Sequence, residues 1–292
     1  MYVVAGVTGR TGGVVAETLV AQGEKVRVIV RDAKQGEVWK QQGAEVAMAQ
    51  LTDIAAVTKA LTGAKGAYLL LPPRLDVEDV LAAQRPLTDA LAEAVRKSGV
   101  PHVVLLSSFG AELPEGTGPI QALHYAERTL GVASKNITFL RAAYFIENVA
   151  PVLPATRGGA LPTFLTADRR IPMIATADIG RVAAELLLEP ATNTRVVELG
   201  TLRDWSPNDL AAELSRILGR PISAQFAPLD AVVPAFTGMG LTRGLAELYR
   251  EMFEAINRGV VGRQGPPAVR RFGQLTPGDV LQDLLEKTPA HA

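Results

Sequence analysis

Residues 2–12 of the chain read Tyr2-Val3-Val4-Ala5-Gly6-Val7-Thr8-Gly9-Arg10-Thr11-Gly12. The first four are apolar or aromatic at consecutive positions, which is typical of a strand buried on both faces. A glycine-rich turn follows, and the composition of residues 13–22 then favours a helix. The three glycines can turn the chain tightly, admit a diphosphate to the backbone, and pack the helix on the strand. This order predicts the opening of a βαβ unit that binds a dinucleotide.

Two charged residues, Arg31 and Asp32, follow the second predicted strand, Val26–Val30. In a dinucleotide-binding unit this position recognises the ribose of the adenosine. Asp32 would favour NAD, whereas Arg31 would pair with a 2′-phosphate, because a guanidinium is always charged and can bond phosphate at two points. Arg10 in the glycine loop adds a second cation. The sequence therefore favours NADP(H), with solvated charges at a strand end as the alternative interpretation.

Strands and helices alternate over the first two thirds of the chain. The predicted strands are Tyr2–Ala5, Val26–Val30, Ala44–Ala49, Gly66–Leu71, Val103–Leu106, Thr138–Leu140 and Val196–Leu199. The predicted helices are Gly13–Gln22, Ile54–Leu61, Val80–Ser98, Ala122–Leu130, Ile179–Leu188 with Asp178 as its N-cap, and Pro207–Leu218 with Ser206 as its N-cap. This alternation predicts an α/β fold with a doubly wound parallel sheet.

The composition changes near residue 150, where prolines and glycines become frequent. We therefore expect two units. Residues 1–150, together with 175–200, would form the dinucleotide-binding domain. Residues 151–174 and 201–292 would form a smaller, mostly helical C-terminal lobe that binds the substrate.

Composition excludes several classes of function. The chain has 292 residues, 48% of them hydrophobic, and 30 basic side chains balance 30 acidic ones. A chain without net charge has no global attraction to nucleic acid or to an anionic membrane. Because there is no cysteine, disulfides and thiolate sites are impossible, and a reducing, cytoplasmic location is expected. Three scattered histidines predict no metal site, and no apolar run approaches the length of a membrane-spanning helix.

Six short motifs carry a resemblance to a known family. They are residues 6–12, Val30-Arg31-Asp32, Leu70-Leu71-Pro72-Pro73, Val103–Ser108, Leu140-Arg141 with Tyr144–Asn148, and Ile171-Pro172 with Asp178-Ile179-Gly180. Over residues 1–200 the chain resembles the NmrA-like atypical short-chain dehydrogenases. The resemblance implies a Rossmann-type fold. The family contains NADPH-dependent quinone and triphenylmethane-dye reductases, and also redox-sensing regulators that bind dinucleotide without evident turnover.

The resemblance also implies which residues contact the cofactor. Those at the pyrophosphate would be Gly6, Thr8, Gly9, Thr11 and Gly12, with Arg10 nearby and Arg31 at the adenosine 2′-phosphate. Those along the rest of the dinucleotide would be Gln50 and Leu51 at the adenine, Leu71 and Pro72 at the ribose and nicotinamide, and Ser107 with Ser108 at the nicotinamide. All of them follow or end strands, and ligands of such sheets bind outside the carboxyl ends of the strands.

The catalytic candidates depart from the conventional short-chain dehydrogenase pattern, which pairs a tyrosine with a lysine four residues later. Residues 123–129 read Leu-His-Tyr-Ala-Glu-Arg-Thr and contain no such pair. His124 could donate a proton near neutral pH, and Tyr125 and Ser108 are the other candidates. Because adjacent helical residues project about 100° apart, His124 and Tyr125 cannot serve one site together. The alternative interpretation of His124 is a polar residue on an exposed helix face.

The substrate candidates follow the sixth predicted strand, where the cleft should open. Tyr144, Phe145 and Asn148 could line the pocket of an aromatic acceptor. We expect Phe145 to be buried and Asn148 to bond the backbone or the substrate. Residues of the C-terminal lobe that could complete the pocket are Phe226, Phe236 and Met239.

Three functions remain open from the sequence. The first is a reductase that transfers hydride from NADPH to a quinone-like or aromatic small molecule. The second is a regulator that senses NADP(H) without turnover, and the third is a cofactor-independent monooxygenase on the same scaffold. No nucleic-acid or membrane partner is expected. The helices Val80–Ser98 and Ala122–Leu130 could pair two copies of the chain in a homodimer.

Overall fold

The computed structural model describes residues 1–190, 193–263 and 269–287. The strands are β1 Tyr2–Ala5, β2 Val26–Val30, β3 Glu45–Met48, β4 Gly66–Leu69, β5 Val103–Ser108, β6 Ile137–Ala142, β7 Tyr144–Phe145, β8 Ala160–Thr163, β9 Met173–Ile174, β10 Arg195–Gly200, β11 Ser223–Phe226 and β12 Val269–Phe272. The helices are α1 Gly12–Ala21, α2 Ala33–Gln41, α3 Ile54–Leu61, α4 Val80–Ser98, α5 Gln121–Ala133, α6 Thr176–Leu188, α7 Pro207–Leu218, α8 Val232–Gly238, α9 Arg243–Arg258 and α10 Pro277–Lys287. Residues Ile146–Gly158 form a 3-10 helix.

An eight-stranded sheet of order β3-β2-β1-β4-β5-β6-β10-β12 organises the fold, and all of its neighbouring strands are parallel. This confirms the predicted α/β fold with a doubly wound sheet. The strand order reverses between β1 and β4, so a crevice opens at the carboxyl ends of these two strands. Ligands of open α/β sheets bind in such a crevice.

Helices cover both faces of the sheet. Successive residues of β1 alternate between the two faces: Val4 packs with α1 and α6, and Val3 packs with α3, α4 and α5. Because both side chains are fully buried, the strand is apolar at consecutive positions, as its sequence indicated. Each such side chain contributes about 1.5–3 kcal/mol relative to an exposed one.

A third core holds the elements outside the main sheet. The 3-10 helix, α7, α9 and α10 contribute to it, with Ile146, Leu214, Phe253 and Leu281 among its members. Strands β8 and β11 form a two-stranded parallel sheet, and β7 pairs with β9. The division of the chain into two domains stays a prediction.

In the main sheet and its flanking helices two elements, α2 and β12, were not predicted from the sequence; outside the sheet, β7, β8, β9, β11 and α10 were not predicted either. Helix α2 buries only Gly36 and Trp39, so its sequence lacks the apolar periodicity on which the predictions rest. Strand β12 is the edge of the sheet, and all four of its residues are exposed. Two of the four are arginines, and charged side chains keep an edge strand from pairing with other chains. Because of the same charges, the segment lacks the apolar pattern that predicts a strand.

Most helix ends agree with the sequence, with one correction. Gly99 ends α4 at φ +64°, and Ser206 caps α7 through a reciprocal capping box with Asp209. The prediction that Asp178 caps the next helix was wrong: α6 begins at Thr176, and Asp178 lies inside its first turn. The buried Asp178 carboxylate instead accepts hydrogen bonds from Arg181 and from the Leu275 N–H. In the part of the chain that the structure describes, no helix is long and apolar enough to cross a membrane.

Replacement of Gly180 by alanine tests the contact between α1 and α6. A Cβ on Gly180 would lie 2.5 Å from Val14 Cβ and 2.7 Å from the Thr11 carbonyl oxygen. Since Val14 lies in α1 and Thr11 is its N-cap, the two helices would have to separate, and we expect the free energy of unfolding to fall by about 1–3 kcal/mol in urea titrations. The control is Gly238→Ala, where a Cβ meets nothing within 4 Å. Equal stability of the two variants would contradict this packing.

Candidate dinucleotide and substrate site

The glycine loop between β1 and α1 is built on contacts that exclude side chains. Gly6 has φ +69°, and a Cβ there would lie 2.6 Å from Leu70 at the end of β4. A Cβ on Gly12 would lie 2.5 Å from the Gly6 carbonyl oxygen and 2.6 Å from that of Ala5. The first turn of α1 therefore rests directly on the backbone that leaves β1. The Gly9 N–H closes the loop by donating to the Gly6 carbonyl at 2.9 Å.

The same loop presents free backbone donors. Within the described residues, the N–H groups of Arg10, Thr11 and Gly12 have no hydrogen-bond acceptor. Thr8, Gly9 and Arg10 are exposed, so the mouth of the loop is open to solvent. Unpaired N–H groups and the positive end of the helix dipole together form a binding site for an anion. The geometry fits the diphosphate of a dinucleotide.

Arg31 and Asp32 have different partners after β2. The Asp32 carboxylate accepts the Gln35 N–H at 2.9 Å and caps α2, so this carboxylate is occupied in the protein. Arg31 is exposed and forms no ion pair with any described residue. Arg10 is likewise exposed at the loop. Within the described residues, Arg31 and Arg10 are therefore both free to donate hydrogen bonds to a phosphate at this corner.

The remaining cofactor candidates border the carboxyl edge of the sheet. Gln50 is exposed just after β3, and Leu51 is half-buried. Leu71 and Pro72 follow β4 and are half-buried. Gln84 of α4 donates to the Pro72 carbonyl at 2.8 Å, which holds this segment beside the crevice. The roles predicted for these residues remain predictions.

Ser107 belongs to a buried network of charged groups. Its hydroxyl donates to Glu127 Oε1 at 2.6 Å. Arg141 donates to the two oxygens of Glu127 at 2.8 and 2.6 Å and to Glu112 at 3.0 Å. Burial is the largest single influence on the pKa of Arg141 and lowers it, but the hydrogen bond to Glu127 and the charges of Glu127, Glu112 and Glu198 together raise it. The guanidinium stays charged and fixes the ends of β5 and β6 to α5.

The three catalytic candidates are not brought together. Ser108 ends β5 and donates to the Phe109 carbonyl. His124 Nδ1 lies 2.9 Å from the Ala111 carbonyl oxygen. Because a carbonyl can only accept, the hydrogen is on Nδ1 and Nε2 remains for other chemistry. Tyr125 donates to Asp89 of α4 at 2.8 Å, so its hydroxyl lies between α4 and α5.

Of the three substrate candidates, Tyr144 lines a small apolar pocket, whereas Phe145 and Asn148 do not. Burial raises the pKa of Tyr144 to about 12, against a smaller lowering by its hydrogen bond to Asn148, so the hydroxyl remains protonated. Phe145 is half-buried and packs on the core beneath α1 and α6. The pocket has a cavity volume of about 20 Å³ and is lined by Phe109, Tyr144, Ile171, Pro172, Ile256, Val261 and Gly262.

Sequence reasoning found only part of this pocket. Phe236 belongs to an aromatic cluster with Phe164, Tyr249 and Phe253, and its ring centre lies 4.9 Å from that of Tyr249. Phe226 and Met239 are 46% and 54% exposed and do not line it. Phe109, which follows Ser108 directly, was missed, although its position after β5 is a signal for the crevice. The described residues contain no cluster of three metal-ligating side chains.

Replacement of Arg141 by methionine tests the buried network. The change would leave Glu127 and Glu112 without their cation in a buried position, and we expect the free energy of unfolding to fall by about 3–5 kcal/mol. Urea unfolding measures it. The matched control is Arg96→Met on the surface, whose exposed pair with Glu93 should leave the urea midpoint unchanged. If Arg141→Met lowered the free energy of unfolding as little as Arg96→Met, that result would contradict a charged, buried network.

Comparison with known proteins agrees with this geometry. The chain is 25% identical over 260 residues to the NAD(P)H azoreductase of Xenophilus azovorans, covering 87% of this chain and 86% of that protein. It superposes with a TM-score of 0.78 and 25% identity on the NADPH complex of a quinone oxidoreductase from Escherichia coli, covering 89% and 90% of the two chains. Triphenylmethane reductase from Citrobacter sp. shares the fold at a TM-score of 0.77 and 22% identity, covering 91% and 93%. The model of the NmrA-like family matches residues 2–262, and the chain belongs to that family.

Proposed function

We propose that the protein is an NADPH-dependent reductase that transfers hydride to a quinone-like or aromatic small molecule. The observation that carries the proposal is the cradle at Gly6 and Gly12, where a Cβ would strike the backbone or Leu70, together with the unpaired amides beside it. Relatives named as an NAD(P)H azoreductase and an NADPH-dependent quinone oxidoreductase support the same cofactor and acceptor class.

Three parts of the chain would hold the dinucleotide. The amides of residues 10–12 would bind the diphosphate, and Arg31 would bind the 2′-phosphate. Leu71 and Pro72 would flank the nicotinamide end. When bound, the cofactor supplies a hydride from the nicotinamide ring. The chain's own task is to bind, to orient and to exclude water from the transfer.

His124 is the proton donor of the proposed reaction. Reduction of a quinone to a hydroquinone takes one hydride and one proton, and the Nδ1–H bond to the Ala111 carbonyl leaves Nε2 as the nitrogen that can carry this proton. Tyr125 is engaged with Asp89, and the Tyr144 pKa of about 12 makes that phenol a poor acid at neutral pH. His124 is therefore favoured over both tyrosines.

The acceptor class follows from the lining of the pocket. Phe109, Tyr144 and Pro172 present flat, apolar surfaces, which suit a planar aromatic molecule. Its cavity volume of about 20 Å³ is far below the roughly 300–1,000 Å³ typical of ligand sites and holds about one water molecule. The pocket must therefore widen, with α9 moving away from β7, when the acceptor binds.

A regulator that binds NADP(H) without turnover is the second candidate. Two features favour it: the pocket is small, and the Tyr125 hydroxyl is hydrogen-bonded to Asp89. A protein that only binds NADP(H) needs neither an acceptor pocket nor a free tyrosine. A cofactor-independent monooxygenase would not need the diphosphate cradle, and its retention disfavours that alternative. A small-molecule substrate is part of the proposed function. The homodimer and the cytoplasmic location remain predictions from the sequence.

Substitution of Arg31 tests the cofactor assignment. Purified protein with NADPH and a panel of quinones, azo and triphenylmethane dyes and simple carbonyls should consume NADPH with the aromatic acceptors. Arg31→Ala should raise the Kd for NADPH by about 10- to 100-fold, because a charged hydrogen bond to phosphate is lost, and leave the Kd for NADH nearly unchanged. Calorimetry measures both constants.

The control for Arg31 is Arg96→Ala. Arg96 lies in the last turn of α4, which leads into the amino end of β5, whereas Arg31 follows the carboxyl end of β2. Loss of Arg96 should therefore change neither constant. NADPH binding without consumption of NADPH by any acceptor would favour the regulator over the reductase.

Substitution of His124 tests the proton donor. His124→Gln should lower kcat with a quinone by about 100-fold or more and leave the KM for NADPH unchanged, because the glycine loop is untouched. Steady-state kinetics with a saturating acceptor separates the two constants. A larger loss of kcat in Tyr125→Phe than in His124→Gln would contradict the assignment.

A further inference from the structure

The side chain of Thr11 does not act as an ordinary helix cap. Thr11 is the N-cap residue of α1, and a threonine there usually accepts a hydrogen bond from the first turn of the helix. Its side chain makes no such bond. Instead Thr11 Oγ1 lies 3.0 Å from the hydroxyl oxygen of Tyr68, 57 residues further along the chain. The Thr11 side chain therefore bonds Tyr68 instead of the first turn of α1.

Tyr68 lies directly beneath the glycine loop. It pairs with Val4 in the register of β4 and β1, two residues before Gly6, and its side chain is fully buried in the core under α1. Burial raises the pKa of its hydroxyl well above the ordinary value, so the group is always protonated. Within the described residues, Thr11 Oγ1 is the one acceptor that the Tyr68 hydroxyl has.

The direction of this hydrogen bond decides what Thr11 can do. A buried hydroxyl must donate to something or lose a hydrogen bond, so Tyr68 donates and Thr11 accepts. The hydrogen of Thr11 is then directed away from Tyr68, and no described residue accepts it. Thr11 is buried and lies in the chain between Arg10 and Gly12, whose amides are unpaired, so its unused donor belongs to the stretch of loop that a diphosphate would contact.

We propose that Tyr68 is a positioning residue for the cofactor: it holds the Thr11 hydroxyl in the orientation that donates to a diphosphate oxygen. The inference rests on the proposed function, because it requires a dinucleotide in the glycine loop. Without the Tyr68 hydroxyl, the Thr11 hydroxyl would be free to turn its hydrogen away from the ligand. Affinity for the diphosphate would fall while the loop itself kept its shape.

A double-mutant cycle on the Kd for NADPH tests the inference. We expect Tyr68→Phe, which keeps the ring, to raise the Kd by about three- to tenfold, and Thr11→Val by about tenfold or more. The double variant should bind like Thr11→Val alone, because Tyr68 acts only through that hydroxyl. Adenosine 2′-monophosphate, which lacks the diphosphate, should bind wild type and Tyr68→Phe equally.

The matched control is Tyr2→Phe. It removes a tyrosine hydroxyl at the other end of β1 and should leave the Kd for NADPH unchanged. If wild type binds NADPH and Tyr68→Phe binds it with the same Kd, the inference is wrong while the proposed function stands. The same holds if the effects of the two substitutions on the Kd multiply in the double variant. Weaker binding of adenosine 2′-monophosphate by Tyr68→Phe would show a general loss of structure and would also overturn it. Failure of wild type to bind any nicotinamide dinucleotide would remove the proposed function as well.

Discussion

The contact on which the structure depends is that of the first turn of α1 with the carbonyl oxygens of Ala5 and Gly6. It exists because residue 12 has no Cβ, which would lie 2.5 Å from one of these oxygens. This close approach aims the unpaired amides of the helix at the crevice between β1 and β4. It also sets the position of α6, because Gly180 packs on Thr11 and Val14. The missing side chains of Gly12 and Gly180 thus couple the anion site to the packing of α6.

Much of this framework could be predicted from the sequence, because the relevant signals are local. The strand β1 and the glycine loop are contiguous, and burial on both sheet faces makes consecutive positions apolar. The elements that the sequence did not predict lack such local signals. Helix α2 and strand β12 bury few side chains, so hydrophobic periodicity does not mark them. Asp178 has the residue type of a cap, but its partners are set by the loop after β12, which no local pattern reveals.

The candidate site was less predictable, because its contacts join distant parts of the chain. Ser107 and Arg141 are apart in sequence, but they are partners across β5 and β6 and both bond Glu127 of α5. Residue types near α5 suggested His124 and Tyr125 equally, and only the neighbouring helix shows that Asp89 engages the tyrosine. A tyrosine in a buried strand likewise gives no sign that its hydroxyl reaches Thr11.

The two halves of the site differ in how they are built, and this explains how one family could serve several acceptors. The proposed cofactor half would be formed largely by backbone at the carboxyl ends of adjacent parallel strands, whose neighbours are fixed by the sheet. The proposed acceptor half is lined by four separate segments, which lie after β5, at β7, before β9 and at the end of α9. Substitution in any one of these segments changes the shape of the pocket and leaves the glycine loop intact. The hydride chemistry can therefore stay constant while acceptor specificity changes.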